Sequence, residues 1–302
     1  MKMTKRHLAI FVCLVFVVFM AVNWLLAPWF KEGLRRYYCL TPSEVLVIGH
    51  SMSEMGIDRN LLAKKLGMTV SKYCMNGAGT ADRLVMIQHY LEATGHKPKY
   101  VLYDVSGRSF SYGLANNSFS LFYPFMEESP TANRYVKENA PAQEYWRKKL
   151  FPLCRYDDTR LGAVVRGWRG DWKNRTLKQF DADNFRLKLS LGEFWHISLD
   201  KQNMAKFVET LEYLEKENIG VILLALPCVD LLNTAEPELY AQVWEFLRQQ
   251  TAKFPNVHFL DFNPEFSHQY ELFGDPIHLN PKGQQIVTRV VGEKLTELFK
   301  EP

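Results

Sequence analysis

Most of the usual apparatus of cofactor chemistry is missing from this sequence of 302 residues. There is no C-x-x-C pair, no H-E-x-x-H, no glycine-rich phosphate loop and no carboxylate cluster at metal-ligand spacing. Dithiol redox, zinc-protease and nucleotide-phosphate chemistries therefore have no motif to run on, and a cofactor-free reaction is expected. Cysteine is sparse, with five residues in all. Cys13 sits in a long apolar run and is no lipoprotein site, because the preceding "AIFV" lacks the small pair such a cleavage needs. Cys39, Cys74, Cys154 and Cys228 are either buried thiols or, in an oxidising compartment, candidates for pairing. The net charge of +4 is small and dispersed, which gives no footing for nucleic-acid binding. Repeats and low-complexity tracts are also absent, and 47% apolar with 23% charged residues is the balance of a globular chain.

What is present begins with Leu8 to Phe30, "LAIFVCLVFVVFMAVNWLLAPWF", 23 residues without a charge. As a helix it would be about 34 Å long, enough for a bilayer core of about 30 Å. A cleaved signal peptide has a shorter apolar region and a small-residue exit. This run instead ends in Trp24, Pro28, Trp29 and Phe30, so an uncleaved signal anchor is expected. Lys2, Lys5 and Arg6 before it balance Lys31, Arg35 and Arg36 after it, and charge alone sets no orientation. The organisation expected is a cytoplasmic tail and anchor over residues 1–30, a linker over 31–44 and one domain over 45–302.

Within that domain, Val45 to Ile48 reads as a buried strand, and Asp58 caps a helix that Gly67 stops. Met68 to Cys74 reads as a second strand. "TADRLVMIQHYLEATG" reads as a helix with Gly95 as its C-cap, and "KYVLYDVS" as a third strand ending near Asp104. Alternation lapses over about 110–200, an aromatic-rich insertion of short helices and loops. It resumes with a helix over Lys201 to Glu217, the strand "GVILLALP", a helix from Pro237 to Phe254, the strand "VHFLDF" and a helix after Pro281. Strands that are apolar on both faces and alternate with helices predict an α/β domain with a mainly parallel sheet covered on both sides, a flavodoxin-like three-layer sandwich. Between Arg134 and Arg175 basic residues exceed acidic ones by six. That excess is a solvated face, a surface for anionic lipid headgroups or one for an anionic glycan.

Ligands of parallel α/β sheets bind beyond the carboxyl ends of the strands, which directs attention to Ser51 in "VLVIGHSMSEMGIDRN". Gly49 allows a sharp exit from the strand, and amide groups near the serine could stabilise an oxyanion. A turn serine alone is more often a cap. At the far end, however, "LFGDPIHLNPKGQQIV" carries Asp275 and His278 three apart on a loop stiffened by Pro276 and Pro281. A serine needs a base to become a nucleophile, and the imidazole needs a carboxylate to fix its tautomer. Ser51, Asp275 and His278 supply all three in the order Ser, Asp, His. Among the other histidines, His50 either adjusts the site or, the favoured reading, points to the opposite side of the turn, and His196 either approaches a cleft or merely packs.

These blocks resemble the SGNH (GDSL-like) hydrolase superfamily, in particular its membrane-anchored, cell-envelope branch related to the D-alanyl-lipoteichoic-acid protein DltD and the alginate O-acetylation proteins. The first block stands here as Gly49-His50-Ser51 and the D-x-x-H block as Asp275-Pro276-Ile277-His278. The resemblance implies Ser51 as nucleophile, His278 as base and Asp275 as its orienting carboxylate. It further implies an oxyanion hole from the backbone N–H groups of Ser51 and of Gly77 in "MNGAGTAD". Two departures stand out. His50 replaces the aspartate of G-D-S, and the third block G-x-N-D has no match, since "DVSGRSF" follows the third strand. Asn76, Ser106 and Arg108 are the candidates to replace its asparagine as oxyanion donor or to bind substrate. The resemblance implies a serine esterase or O-acyltransferase acting on an acylated cell-envelope glycan or polysaccharide. Its domain would lie outside the cytoplasm on a single membrane span, with a membrane-bound acyl-donor protein as partner if it transfers. The alternative is a non-catalytic scaffold or glycan-binding protein of an envelope assembly.

Overall fold

The computed structural model describes residues 5–111 and 118–300. Lys2, one of the cations flanking the apolar run, and residues 112–117 of the expected insertion lie outside the described residues. In chain order the elements are α1 (Lys5–Tyr37), β1 (Val45–Gly49), α2 (Ser51–Gly56), α3 (Arg59–Leu66), β2 (Val70–Cys74), α4 (Thr80–Thr94) and β3 (Tyr100–Val105). Then come α5 (Pro130–Asn139), α6 (Ala142–Leu150), α7 (Asp158–Arg169), α8 (Ala182–Ser190), α9 (Lys201–Lys216) and β4 (Gly220–Ala225). The chain closes with α10 (Asp230–Asn233), α11 (Pro237–Lys253), β5 (Val257–Asp261), α12 (Asn263–Phe266) and α13 (Pro281–Leu298).

The chain divides into two compact units, one of Tyr38–Ser118 with Trp172–Pro302 and one of Met1–Tyr37 with Phe119–Asp171. The larger unit holds a five-stranded sheet in the order β2-β1-β3-β4-β5, parallel throughout, with helices on both faces. Such an order places β1 and β3 side by side at the centre, where connections leave for opposite directions. β1 and β4 are buried on both faces, as their unbroken apolar runs demand, whereas the edge strand β5 is buried only at Val257. Val45, Val47 and Leu102 face a core shared with Leu62 of α3 and Val287, Val291 and Leu295 of α13. On the other face Tyr103 meets Phe207 of α9 edge-on at 5.4 Å.

Local signals account for the element ends. Asp58 accepts hydrogen bonds from the N–H groups of Asn60 and Leu61, and Gly67 closes α3 in the left-handed region at φ 64°. Gly95 closes α4 in the same way. The helix expected at Asp58 is therefore there as α3, but a separate six-residue helix, α2, precedes it and begins at Ser51 itself. The stretch read as an insertion is shared between the units, because residues from Trp172 onward pack with the sheet. The five cysteines are free thiols, with Cys39, Cys74 and Cys228 buried.

In the smaller unit α1 continues well past the apolar run and packs against α7. The two helices touch backbone to backbone: a Cβ built on Gly167 would stand 1.9 Å from the Gly33 carbonyl oxygen. α1 is long and apolar enough to cross a membrane.

Candidate active site

Ser51 lies two residues past the carboxyl end of β1, as the first residue of α2. Asp275 and His278 lie on the turn that precedes α13. That turn is closed by the Gly274 N–H on the His278 carbonyl at 2.9 Å and by a bridge between Phe273 and Leu279. Its position against the serine is held from outside. The Val229 N–H reaches the Pro276 carbonyl at 3.0 Å, and the Asn174 amide donates both to the Met55 carbonyl at the end of α2 (3.1 Å) and to the Leu279 carbonyl (2.7 Å). One side chain thus ties the serine's helix to the histidine's loop.

The three side chains form a continuous relay. Ser51 Oγ is 2.8 Å from His278 Nε2, and His278 Nδ1 is 2.7 Å from Asp275 Oδ2. A carboxylate only accepts, so His278 Nδ1 carries the proton, and Nε2 presents its lone pair to the serine hydroxyl. Asp275 Oδ1 accepts the backbone N–H groups of Ile277 (3.0 Å) and His278 (2.9 Å). Burial opposes ionisation of this carboxyl, yet the imidazole and those two N–H groups together outweigh it and hold Asp275 below the ordinary carboxylate range. An ionised Asp275 can steady the imidazolium that forms when His278 takes a proton.

His50 stands on the other side of the serine in a different state. It is 2% exposed, and its Nδ1 accepts the Met52 N–H at 3.1 Å. Its proton therefore sits on Nε2, which is buried and meets no partner. Burial lowers its pKa to about 4, against the partial counter-pull of Asp104, so His50 is neutral around pH 7. Asp104, at the end of β3, is fully buried and sits 3.7 Å from His50 Nδ1. Its Oδ2 faces the N–H groups of His50 (3.4 Å) and Ser53 (3.3 Å). Gly49 makes this approach possible, since a Cβ there would lie 2.6 Å from the Asp104 Cβ. Arg83 of α4, 1% exposed, donates to the Asp104 carbonyl and lies over the Tyr103 ring at 5.1 Å. Sequence reasoning missed the pairing of Asp104 with the serine turn. The available signal was a lone carboxylate inside an apolar strand.

The remaining candidates separate into two groups. Gly77 follows β2, which is β1's neighbour in register, and it is the third residue of a turn closed by the Ala78 N–H on the Met75 carbonyl at 3.0 Å. Its φ of 79° is the conformation such a turn requires of glycine. Among the described residues neither the Ser51 nor the Gly77 N–H meets an acceptor. Asn76, in the same turn, is exposed. By contrast, the Ser106 hydroxyl is occupied by the Arg108 N–H at 3.3 Å within its own turn. Arg108 is 2% exposed, with its guanidinium on the carbonyls of Trp195 and Leu232 and 3.7 Å from Glu236. Glu236 also takes His196 Nδ1 at 3.0 Å, so that histidine is an exposed partner of this carboxylate. Arg108 is thus spent on holding loops, while the Ser106 hydroxyl accepts within its own turn and keeps its O–H. A cleft of about 530 Å³ borders Asp275 and Pro276 and is lined by Lys178, Phe180, Asn184 and Lys188 among others.

No protein-family profile matches the chain, and no curated protein matches it. Solved structures do. A catalytic mutant of an acetylxylan esterase from Geobacillus stearothermophilus is 14% identical, with 84% of this chain and 94% of that one covered and a TM-score of 0.42. A carbohydrate esterase of family 3 from Talaromyces cellulolyticus is 11% identical, covering 85% and 98% at a TM-score of 0.41. The C-terminal catalytic domain of the Streptococcus pneumoniae peptidoglycan O-acetyltransferase A is 11% identical, covering 86% and 97% at a TM-score of 0.39. The likeness is too loose to carry an activity, which must rest on the site's own geometry.

Proposed function

We propose that the chain is a membrane-anchored SGNH-type serine esterase or O-acyltransferase that works through an acyl-Ser51 intermediate on an ester of a cell-envelope glycan or polysaccharide. The observation that carries this reading is the relay from Ser51 through His278 to Asp275, assembled from residues 227 positions apart in the chain. As an acyl ester approaches, His278 Nε2 takes the Ser51 proton while Oγ attacks the carbonyl carbon. The oxygen that becomes negative is stabilised by the Ser51 and Gly77 N–H groups. The tetrahedral intermediate collapses, the leaving alkoxide receives the proton from His278, and the acyl-serine remains. Water or a sugar hydroxyl, deprotonated by the same His278, then attacks the acyl carbon and regenerates Ser51.

With the Arg108 guanidinium engaged elsewhere, Asn76 and the Ser106 hydroxyl are the side chains left to serve as a third oxyanion donor. The cleft beside Asp275, lined by Phe180 and Phe185 together with Lys178, Lys188, Asp181, Glu193 and Asn184, suits a polar acylated sugar. Membrane attachment is supported by the contacts of α1. Asn23 is buried and its Oδ1 accepts the Leu153 N–H at 3.3 Å, and Trp29 stacks on Trp168 at 5.4 Å. Cleavage after the apolar run would discard part of this packing, which favours an anchor over a removed signal. We put the domain outside the cytoplasm because a cell-envelope glycan would be met there, and a transferase would draw its acyl group from a membrane-bound donor protein.

The test is intact-mass analysis of the detergent-solubilised full chain mixed with 4-nitrophenyl acetate, with and without an oligosaccharide acceptor. An acetyl adduct that maps to Ser51 and decays to acetate supports the esterase, and decay to an acetylated sugar supports the transferase. No adduct and no turnover in a folded chain would leave the non-catalytic scaffold as the reading.

A further inference from the structure

The apolar run of α1 is not free over its whole length. Leu8 to Val18 stand exposed, and from Phe19 onward one face of the helix is covered by its own unit while Val22, Trp24, Leu25, Leu26 and Trp29 on the rest of it stay 43–76% exposed. Phe19 lies 6.0 Å from Phe151, Asn23 accepts from Leu153, and Phe30 lies 5.2 Å from Tyr156. The part exposed on every side, the eleven residues Leu8–Val18, is about 16 Å long, half of the roughly 30 Å a hydrocarbon core requires. A span drawn from Leu8 to Phe30 therefore carries the Phe151–Tyr156 stretch below the level of the headgroups and sets α7, which meets α1 from Trp29 to Tyr37, at that level.

The surface of this unit has the composition such a position needs. On α6 Trp146 and Leu150, one turn apart, are 57% and 52% exposed. On α7 Leu161 and Val165, again one turn apart, are exposed, and their stripe continues to Trp168, which stacks on Trp29 of the span. Cations border both stripes: Arg147, Lys148 and Lys149 follow Trp146, while Arg166 and Arg169 flank Trp168. Long basic side chains beside exposed Trp and Leu are what lets a helix lie at the boundary of acyl chains and phosphates. In water the same side chains would be a cluster of unburied apolar surface.

We infer that α6, α7 and the Phe151–Tyr156 stretch form a second membrane-contacting element, seated in one leaflet around the carboxyl-terminal half of the α1 span. Trp146, Leu150, Leu161 and Val165 reach the upper acyl carbons, and the exposed Arg147 and Arg169 beside them reach the phospholipid phosphates. The inference rests on the anchor reading and extends it from a single span to a span with an interfacial collar. Of the three origins open for the basic excess between Arg134 and Arg175, it selects the lipid surface.

The experiment is photolabelling of the full chain in phospholipid nanodiscs with a phosphatidylcholine that carries a diazirine on its acyl chain, followed by peptide mapping. The expected result is label on α1 and also on 142–156 and 161–168. In a Trp146→Ser, Leu150→Ser variant the label on 142–150 is lost, while that on α1 and α7 remains. Label confined to α1 would overturn the collar and leave the anchor standing. Absence of label from α1 as well would overturn both.

Discussion

Two histidines flank Ser51 in opposite states, and the groups their Nδ1 atoms face explain why. On the half-buried loop, His278 Nδ1 meets a carboxylate, so it holds a proton there and turns a lone pair toward the serine. In the buried turn, His50 Nδ1 meets a backbone N–H, so the proton moves to Nε2 and that nitrogen can serve only as a donor. The same side chain turns a bare nitrogen to a serine hydroxyl in one place and caps a helix in the other. Proximity to a serine does not decide the role; the second nitrogen's partner does.

The comparison is broken most severely by removing the carboxylate that sets it. In Asp275→Asn the side-chain amide can no longer fix the Nδ1–H tautomer, and esterase turnover is expected to fall about 10⁴-fold with little change in fold, the magnitude typical of such triads. Measurement of kcat on a soluble acetyl ester checks this, and a loss of less than about tenfold would detach Asp275 from the relay.

The next test concerns His50. Below about pH 6.5 an unfolded chain binds a proton at this residue that the folded chain refuses until about pH 4, because burial disfavours the imidazolium. The unfolded state binds more protons across that window, so folded stability falls as pH drops through it, by about 3 kcal/mol in all. In His50→Asn the amide oxygen can still cap α2 but does not titrate, and this part of the acid sensitivity should vanish. Denaturant midpoints at neutral and mildly acidic pH, compared between the two proteins, read the difference. Equal acid slopes would mean that His50 is not held neutral. Asp275 acts in the same direction at lower pH, since its depressed folded pKa withholds stability as pH falls through that value.

The smallest effect is expected at Gly49. An alanine there would push on Asp104 at 2.6 Å and should cost about 1–3 kcal/mol of stability while displacing the serine turn. Thermal unfolding together with turnover checks it, and an unchanged protein would show that the turn has slack.

Much of this was legible beforehand. The alternating apolar strands and capped helices gave the parallel sheet, and the D-x-x-H spacing brought Asp275 and His278 to Ser51 across the whole chain. Other parts were not legible because they depend on burial and long-range contact. Asp104 reads as one charge in "YVLYDV" until the serine turn is folded over it. Ser106 and Arg108 lie where a missing donor was sought, yet the carbonyls of Trp195 and Leu232 claim the guanidinium from far along the chain. The insertion reads as one irregular block because short helices carry weak periodicity. Its division at Asp171 follows from contacts such as Gly33 with Gly167 in one unit and Asn174 with Met55 in the other.

The most direct measurement is fluorophosphonate labelling of the full chain beside its Ser51→Ala, His278→Ala and His50→Asn variants. A nucleophile activated by His278 predicts labelling of the wild type and of His50→Asn, and none of the other two. Labelling that survives in His278→Ala, or none in a folded wild type, would contradict the relay as the source of reactivity.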